Sequence, residues 1–367
     1  MLAELQKEIL PGANVFVGDP ADPFLAPRGV WIGKGKMLVS DTGQNRVYVW
    51  NSIPTGKEGK PDLVLGQDLF GSTGRNNQGT ASGSSLQYPS AIWSDGERII
   101  LGDAWNHRVL IWNSWPTKNG QEADVVIGQK NLNDTQPNIK GVGVEPDAHT
   151  LYWPYGVFSN GKELWIADTG NRRVLYFESI PTKNGQSADA VIGKENFTER
   201  DYDHENPIWP YSVKISESGQ LAITDTQYYR VLVWKHWKDA LIQKADLIIG
   251  QKDFNQNGQN QFRLTPASNT LNWCYDSCFE GENLWVVDTG NSRLLKHNLS
   301  SEKNAPAAID LIGHTGFDIG SENVNTIMGT ENALYWPFSV CIDGNTIAIA
   351  DTGNHRIIIG DLANRKR

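Results

Sequence analysis

Apolar residues in this chain come in short runs rich in Val, Ile, Leu, Trp and Tyr, broken by Gly, Pro, Asn and Asp. They do not follow the three-and-four spacing of a surface helix, so the pattern predicts strands. One stretch shows the unit: "LYWPYGVFS", then "ELWIAD", then "RVLYF", then the polar link "ESIPTKNGQSAD", then "AVIGK". That reads as four strands, the first opened by an aromatic–Pro pair and the last closed on glycine. The quartet recurs, and a phrase between its second and third runs marks each copy: "DTGQNR" at 41, "DAWNHR" at 103, "DTGNRR" at 168, "DTQYYR" at 225, "DTGNSR" at 288 and "DTGNHR" at 351. Only Asp and Arg survive in all six, and successive Asp residues lie 57 to 65 positions apart.

Four short strands per unit and six units predict an all-β fold, a single six-bladed propeller. Glycine closes the fourth run at Gly66, Gly128, Gly193, Gly250 and Gly313, but no such run follows the sixth phrase. The missing copy is "NVFVG", residues 14–18, so the first strand should complete the last blade and leave no open sheet edge. Residues 12–367 then form the propeller, and residues 1–11 a short extension with Leu2, Leu5 and Ile9 at helical spacing. The phrase Asp-x-x-Asn-His/Arg-Arg-Val/Leu, repeated in register from about residue 12 to 361, resembles that of the NHL-repeat propellers. The resemblance implies the fold more sharply than the activity, because that family holds protein- and RNA-binding members and a zinc-dependent lyase.

Six Asp and six Arg residues spaced around a ring cannot serve one active site. They read as a clasp repeated once per blade, with Asp accepting from the backbone N–H groups of its turn and Arg gripping a carboxylate. Gly43, Gly170, Gly290 and Gly353 are expected to supply a positive φ to that turn.

If the first strand of each blade lines the channel, the aromatic–Pro pairs, the Asp–Arg turns and the longest polar links share one rim. The residue before the proline or its equivalent reads Ala26, Tyr88, Trp153, Trp209, Trp273 and Trp336. Two positions later come Arg28, Ser90, Tyr155, Tyr211, Tyr275 and Phe338. Such a mouth suits packing between blades or an aromatic-walled site. Where the phrase breaks its own rule, at Trp105 in blade two and Gln227 in blade four, function or drift is the cause. The expected ligand or partner residues are therefore Trp105, His107, Trp153, Trp209, Tyr228, Tyr229, Trp273 and Trp336. The expected role is a non-catalytic binding or scaffold module for a protein, a peptide or a small planar or apolar ligand.

An enzyme at the channel mouth, a lyase, hydrolase or cyclase, is the alternative. Asp276 is the one carboxylate among Gly29, Ala91, Gly156, Ser212 and Ser339, and with His107 or His149 it could supply acid–base groups. His107 and His355 occupy equivalent turns, but no third histidine falls on that register. The lyase's zinc site is not reproduced, and neither metal nor cofactor is expected. The 33 basic against 42 acidic residues, with no basic block, argue against nucleic acid. Cys274, Cys278 and Cys341 are too few for a disulfide framework and read as buried thiols. No apolar run is long enough to span a bilayer. The chain reads as a cytoplasmic monomer, or an exported one if a leader has been removed.

Overall fold

The structure, a computed structural model, describes residue 10 and residues 12–202, 207–326, 329–330 and 333–365. These residues build six four-stranded antiparallel sheets arranged as the blades of a propeller. Blade three shows the plan: Pro154–Ser159, Leu164–Asp168, Arg173–Phe177 and Ala190–Ile192 pair in that order. The first strands of the other blades are Gly29–Gly33, Pro89–Ser94, Pro210–Ile215, Cys274–Glu280 and Ser339–Asp343. Each packs against the first strands of both neighbours, so the six line the axis.

Closure runs as the sequence predicts. Asn14–Phe16 pairs antiparallel with Arg356–Asp361, with Val15 opposite Ile358. Phe16 is fully buried and meets Phe24 and Trp50 edge-on, at 5.9 and 5.5 Å between ring centres. Most of the expected N-terminal extension lies outside the described residues. Its Leu10 is buried with Trp285, Leu334 and Ile358 between blades five and six.

The core sits between blades rather than within one. A strand turns successive side chains to opposite faces, and the inner strands of a blade have a neighbouring blade on each side. Leu164–Asp168 and Arg173–Phe177 are accordingly buried at every position. Trp165, Val174, Val213 and Ile223 fill the seam between blades three and four, and Phe16, Val30, Val39 and Ile357 the seam where the ring closes. Each such aliphatic side chain contributes about 1.5–3 kcal/mol. The three thiols are free, Cys274 buried and Cys278 and Cys341 half-buried. No helix among the described residues is long and apolar enough to cross a membrane.

Candidate binding site at the channel mouth

The repeated phrase can be followed atom by atom. In blade three, Asp168 Oδ2 accepts from Arg173 Nε at 2.8 Å and from Asn171 Nδ2 at 2.7 Å, while Oδ1 accepts from the Tyr152 backbone N–H at 2.7 Å. Arg173 also donates to the carbonyls of Asp147, Thr150 and Phe197, tying down the links that lead into and out of the blade. Each Arg grips the Asp of its own blade. Burial pushes the Asp168 carboxyl up, and Arg173, Asn171 and the Tyr152 N–H pull against that. The expectation that Asp binds its own turn's N–H groups is corrected: it holds the approach to the first strand.

The expectation about glycine is corrected too. The left-handed residue of the turn is the one before Arg, namely Asn45, His107, Arg172, Tyr229, Ser292 and His355, with φ between 51° and 56°. Glycine stands two places earlier because a backbone passes there. The Gly170 N–H donates to the Tyr152 carbonyl at 2.7 Å, and a Cβ would lie 2.6 Å from that oxygen.

Two residues of the phrase reach the next blade. Thr169 Oγ1 donates to the Pro210 carbonyl at 2.6 Å, and Thr42, Thr226, Thr289 and Thr352 make the matching bond to Pro89, Cys274, Pro337 and Pro27. The left-handed residue holds the next mouth residue. Asn45 accepts from Tyr88 N–H, His107 Nδ1 from Trp153 N–H, Ser292 from Trp336 N–H and His355 Nδ1 from Ala26 N–H. Arg172 lies over the Trp209 ring, and Tyr229 meets Trp273 edge-on at 5.1 Å. His107 is thus a joint between blades, with Nδ1 used as an acceptor, and burial lowers its pKa to about 4.

The mouth residues Ala26, Tyr88, Trp153, Trp273 and Trp336 all adopt positive φ, from 44° to 57°. Trp209 does not belong with them. In blade four the Pro210–Asp225 hairpin is longer by one residue than Pro154–Asp168, and the approach is shorter by one. Trp209 therefore takes the place of Tyr152, its N–H bound to Asp225 Oδ1 at 2.7 Å.

Tyr88 and the aromatic rings behind the other mouth residues close on one another around the axis. Tyr88 meets Tyr155 at 6.2 Å, Tyr155 stacks on Tyr211 at 4.5 Å, Tyr211 meets Tyr275 at 4.8 Å and Tyr275 stacks on Phe338 at 4.3 Å. The Arg28 guanidinium fills the remaining gap, 4.0 Å from the centre of Phe338 and 5.1 Å from that of Tyr88. Within this collar is a cavity of about 30 Å³. Trp105 extends the collar outward, stacked on Tyr88 at 4.5 Å and 9° with its indole N–H on the Tyr155 hydroxyl, yet 46% exposed.

The candidate acid–base groups do not converge. Asp276 is a buried tie between blades: Oδ1 accepts from Ser277 N–H and lies 3.1 Å from Lys214 Nζ, and Oδ2 accepts from Ser339 Oγ and Val340 N–H. Burial lowers the Lys214 pKa, but Asp276, Cys278 and Cys341 together outweigh it and the net shift is upward. His149 is exposed on a link, with its Nδ1 on the Gly185 carbonyl, beside a separate cavity of about 360 Å³. Among the described residues no three His, Cys, Asp or Glu side chains gather at metal spacing. Tyr228 is buried, its ring against Tyr202. Trp153 and Trp336 are exposed, and Trp209, Tyr229 and Trp273 half-buried.

Sequence reasoning missed two features. Four links carry consecutive non-glycine residues in the left-handed region, each run beginning with Asn: Asn76, Asn138, Asn260 and Asn323. These amides pair reciprocally with Asn106, Asn171, Asn291 and Asn354 of the clasp, as between Asn138 and Asn171 at 3.1 and 2.8 Å. The recurrence of Asn ahead of Leu86, Leu151, Leu271 and Leu334 was the available signal. The other feature is Arg28, which the repeat alignment displays as the one charge in its column.

No family model matches this chain, and no curated protein does. Solved structures do match. A protein from Bacteroides thetaiotaomicron described as being of unknown function is 12% identical with a TM-score of 0.52, covering 95% of this chain and 74% of that one. An auxiliary nutrient binding protein from the same organism is 11% identical with a TM-score of 0.51, covering 92% and 69%. Hydrazine synthase from Kuenenia stuttgartiensis is 12% identical with a TM-score of 0.50, covering 93% and 97%. At these identities the likeness is one of fold, the six-bladed propeller.

Proposed function

We propose that this chain is a recognition module of the NHL-repeat type, without catalytic activity, that takes a partner or ligand bearing a flat ring on the sector of blades two and three. Trp105 carries the reading. A large apolar ring is held half in solvent, its orientation fixed by the Tyr88 ring and the Tyr155 hydroxyl. A rigid aromatic face offers contact area at little entropic cost. Trp153 stands exposed beside it on the next blade. The enzymatic alternative is weaker because Asp276, His107 and His149 are each engaged in separate structural contacts.

The test is a titration of planar aromatic amides, aromatic acids and aromatic peptides, followed by calorimetry and tryptophan fluorescence. Trp105→Ala should weaken binding by about 2–4 kcal/mol, while Trp336→Ala, on blade six, leaves it unchanged. Equal losses at both positions, or none at Trp105, would overturn the reading.

A further inference from the structure

Away from the mouth, the outer strands of the blades carry another departure from the repeat. In an antiparallel ladder every second residue of an edge strand turns its N–H and C=O away from its neighbour. Val64 does so opposite Tyr48, and the link of blade two takes up both groups. Asn119 Oδ1 accepts from the Val64 N–H at 3.1 Å, and the Gly120 N–H donates to the Val64 carbonyl at 2.9 Å. Asn184 and Gly185 do the same for Val126, and Asn304 and Ala305 for Ile248. Arg365 covers the Leu311 carbonyl, and residues 54–57 bond to Asn14 and Val17. Blade three is the exception. Val191 stands in the same register, opposite Leu175, and among the described residues nothing bonds its outward N–H or C=O.

The cause lies in the link of blade four. Five and four residues before the Asp that precedes each fourth strand, blades two and three have Asn and Gly, whereas blade four has Leu241 and Ile242. Leucine offers no acceptor. Gly120, Gly185 and Ala305 have φ between 51° and 63°, a region costly for a β-branched residue, and Ile242 sits at −134°. The turn is not made, and Trp237–Leu241 coils into a short 3-10 helix anchored by Trp237 on Tyr176 and Trp165. The space left over is a cavity of about 430 Å³. Gly120 lies against Gln67 and Asp68, and Gly185 against Gln129 and Lys130; the matching Lys194 and Glu195 line this cavity, with Ile192, Phe254 and Ile242. Ile242 is 85% exposed.

We propose that the open edge of blade three captures a peptide segment of a partner protein carrying Asn–Gly, which supplies in trans the turn that blades one and two receive from their neighbours. The Asn side chain accepts from the Val191 N–H, the Gly N–H donates to the Val191 carbonyl, and an adjoining apolar side chain enters the cavity. The site is separate from the mouth and stands without it. The probe is a capped peptide copying residues 180–189, IPTKNGQSAD, added to the full chain. In the free protein the Val191 amide should exchange with deuterium about tenfold faster than that of Val126; equal protection would show the edge closed and overturn the proposal. The peptide should slow the Val191 amide, and a version with Leu and Ile in place of Asn and Gly should bind about tenfold weaker in calorimetry. No protection at millimolar peptide, or equal binding of the two peptides, would overturn it. Leu241→Asn with Ile242→Gly should let the chain close its own edge, slowing Val191 exchange and removing the binding. If that variant fails to fold, Val191→Pro removes the outward N–H at an edge position that tolerates proline, and should weaken the peptide about tenfold. Binding undiminished by Val191→Pro, or lost in Trp105→Ala, would put the peptide elsewhere on the ring and sink the proposal.

Discussion

In blade two the repeated phrase reads "DAWNHR" and in blade four "DTQYYR", and both keep the buried Asp–Arg pair. What they give up differs. Blade two retains Asn106, whose amide pairs with Asn76, but loses the Thr that elsewhere latches onto the next blade and puts Trp105 where glycine stands. The indole projects from the surface and stacks on Tyr88. The Trp105 N–H to Gln87 carbonyl contact is stretched to 3.2 Å, against 2.7 Å at Gly170. Blade four keeps its Thr and loses the Asn. Tyr228 fills that place, buried, with Tyr202 on one side and the Arg230 guanidinium 4.9 Å from its ring centre. One departure makes a surface feature and the other repacks an interior, so a broken repeat rule is a candidate for a site only where the new side chain is left facing solvent.

The largest effects should fall on what the two blades share. Arg108→Ala and Arg230→Ala each strand a fully buried carboxylate and free several carbonyls, at a cost of about 3–5 kcal/mol apiece in urea denaturation. A marked difference between them would mean that the clasp is not one device. The next effect separates the blades. Tyr228→Ala leaves a cavity and should cost about 3 kcal/mol, whereas Asn106→Ala removes polar partners of Asp103 and Asn76 and should cost about 1–3 kcal/mol.

The smallest effect is a pH dependence in blade two. The His107 pKa is lowered to about 4 by burial, so between about 6.5 and 4 the unfolded chain takes up a proton that the folded one refuses. Stability is complete above that window and falls as pH drops through it. His107→Asn supplies the acceptor that Asn45 provides in blade one, and should remove about 1–2 kcal/mol of the acid loss. Buried His297, lowered to about 3, and His314, also lowered by burial, contribute to the remainder. Identical acid profiles for the variant and the parent chain would show that the joint does not titrate.

Period, strand count and closure were all legible along the chain, because each depends on local alternation and on a phrase whose Asp and Arg recur in register. Residues 14–18 could be matched to a missing fourth strand for the same reason. The tertiary structure decided matters that depend on distance between blades. Trp209 aligns with Trp153 when counted from the proline, but a residue moved from the approach into the hairpin gives it another place, and only the bond to Asp225 reveals that. His107 carries the composition of a catalyst and serves as an acceptor for a backbone N–H 46 residues away. Arg28 stood in the alignment as an exception among aromatics. Its meaning came from which rings close around it, Phe338 and Tyr88, and sequence alone cannot state which groups surround a charge, because pairing is a property of positions in space.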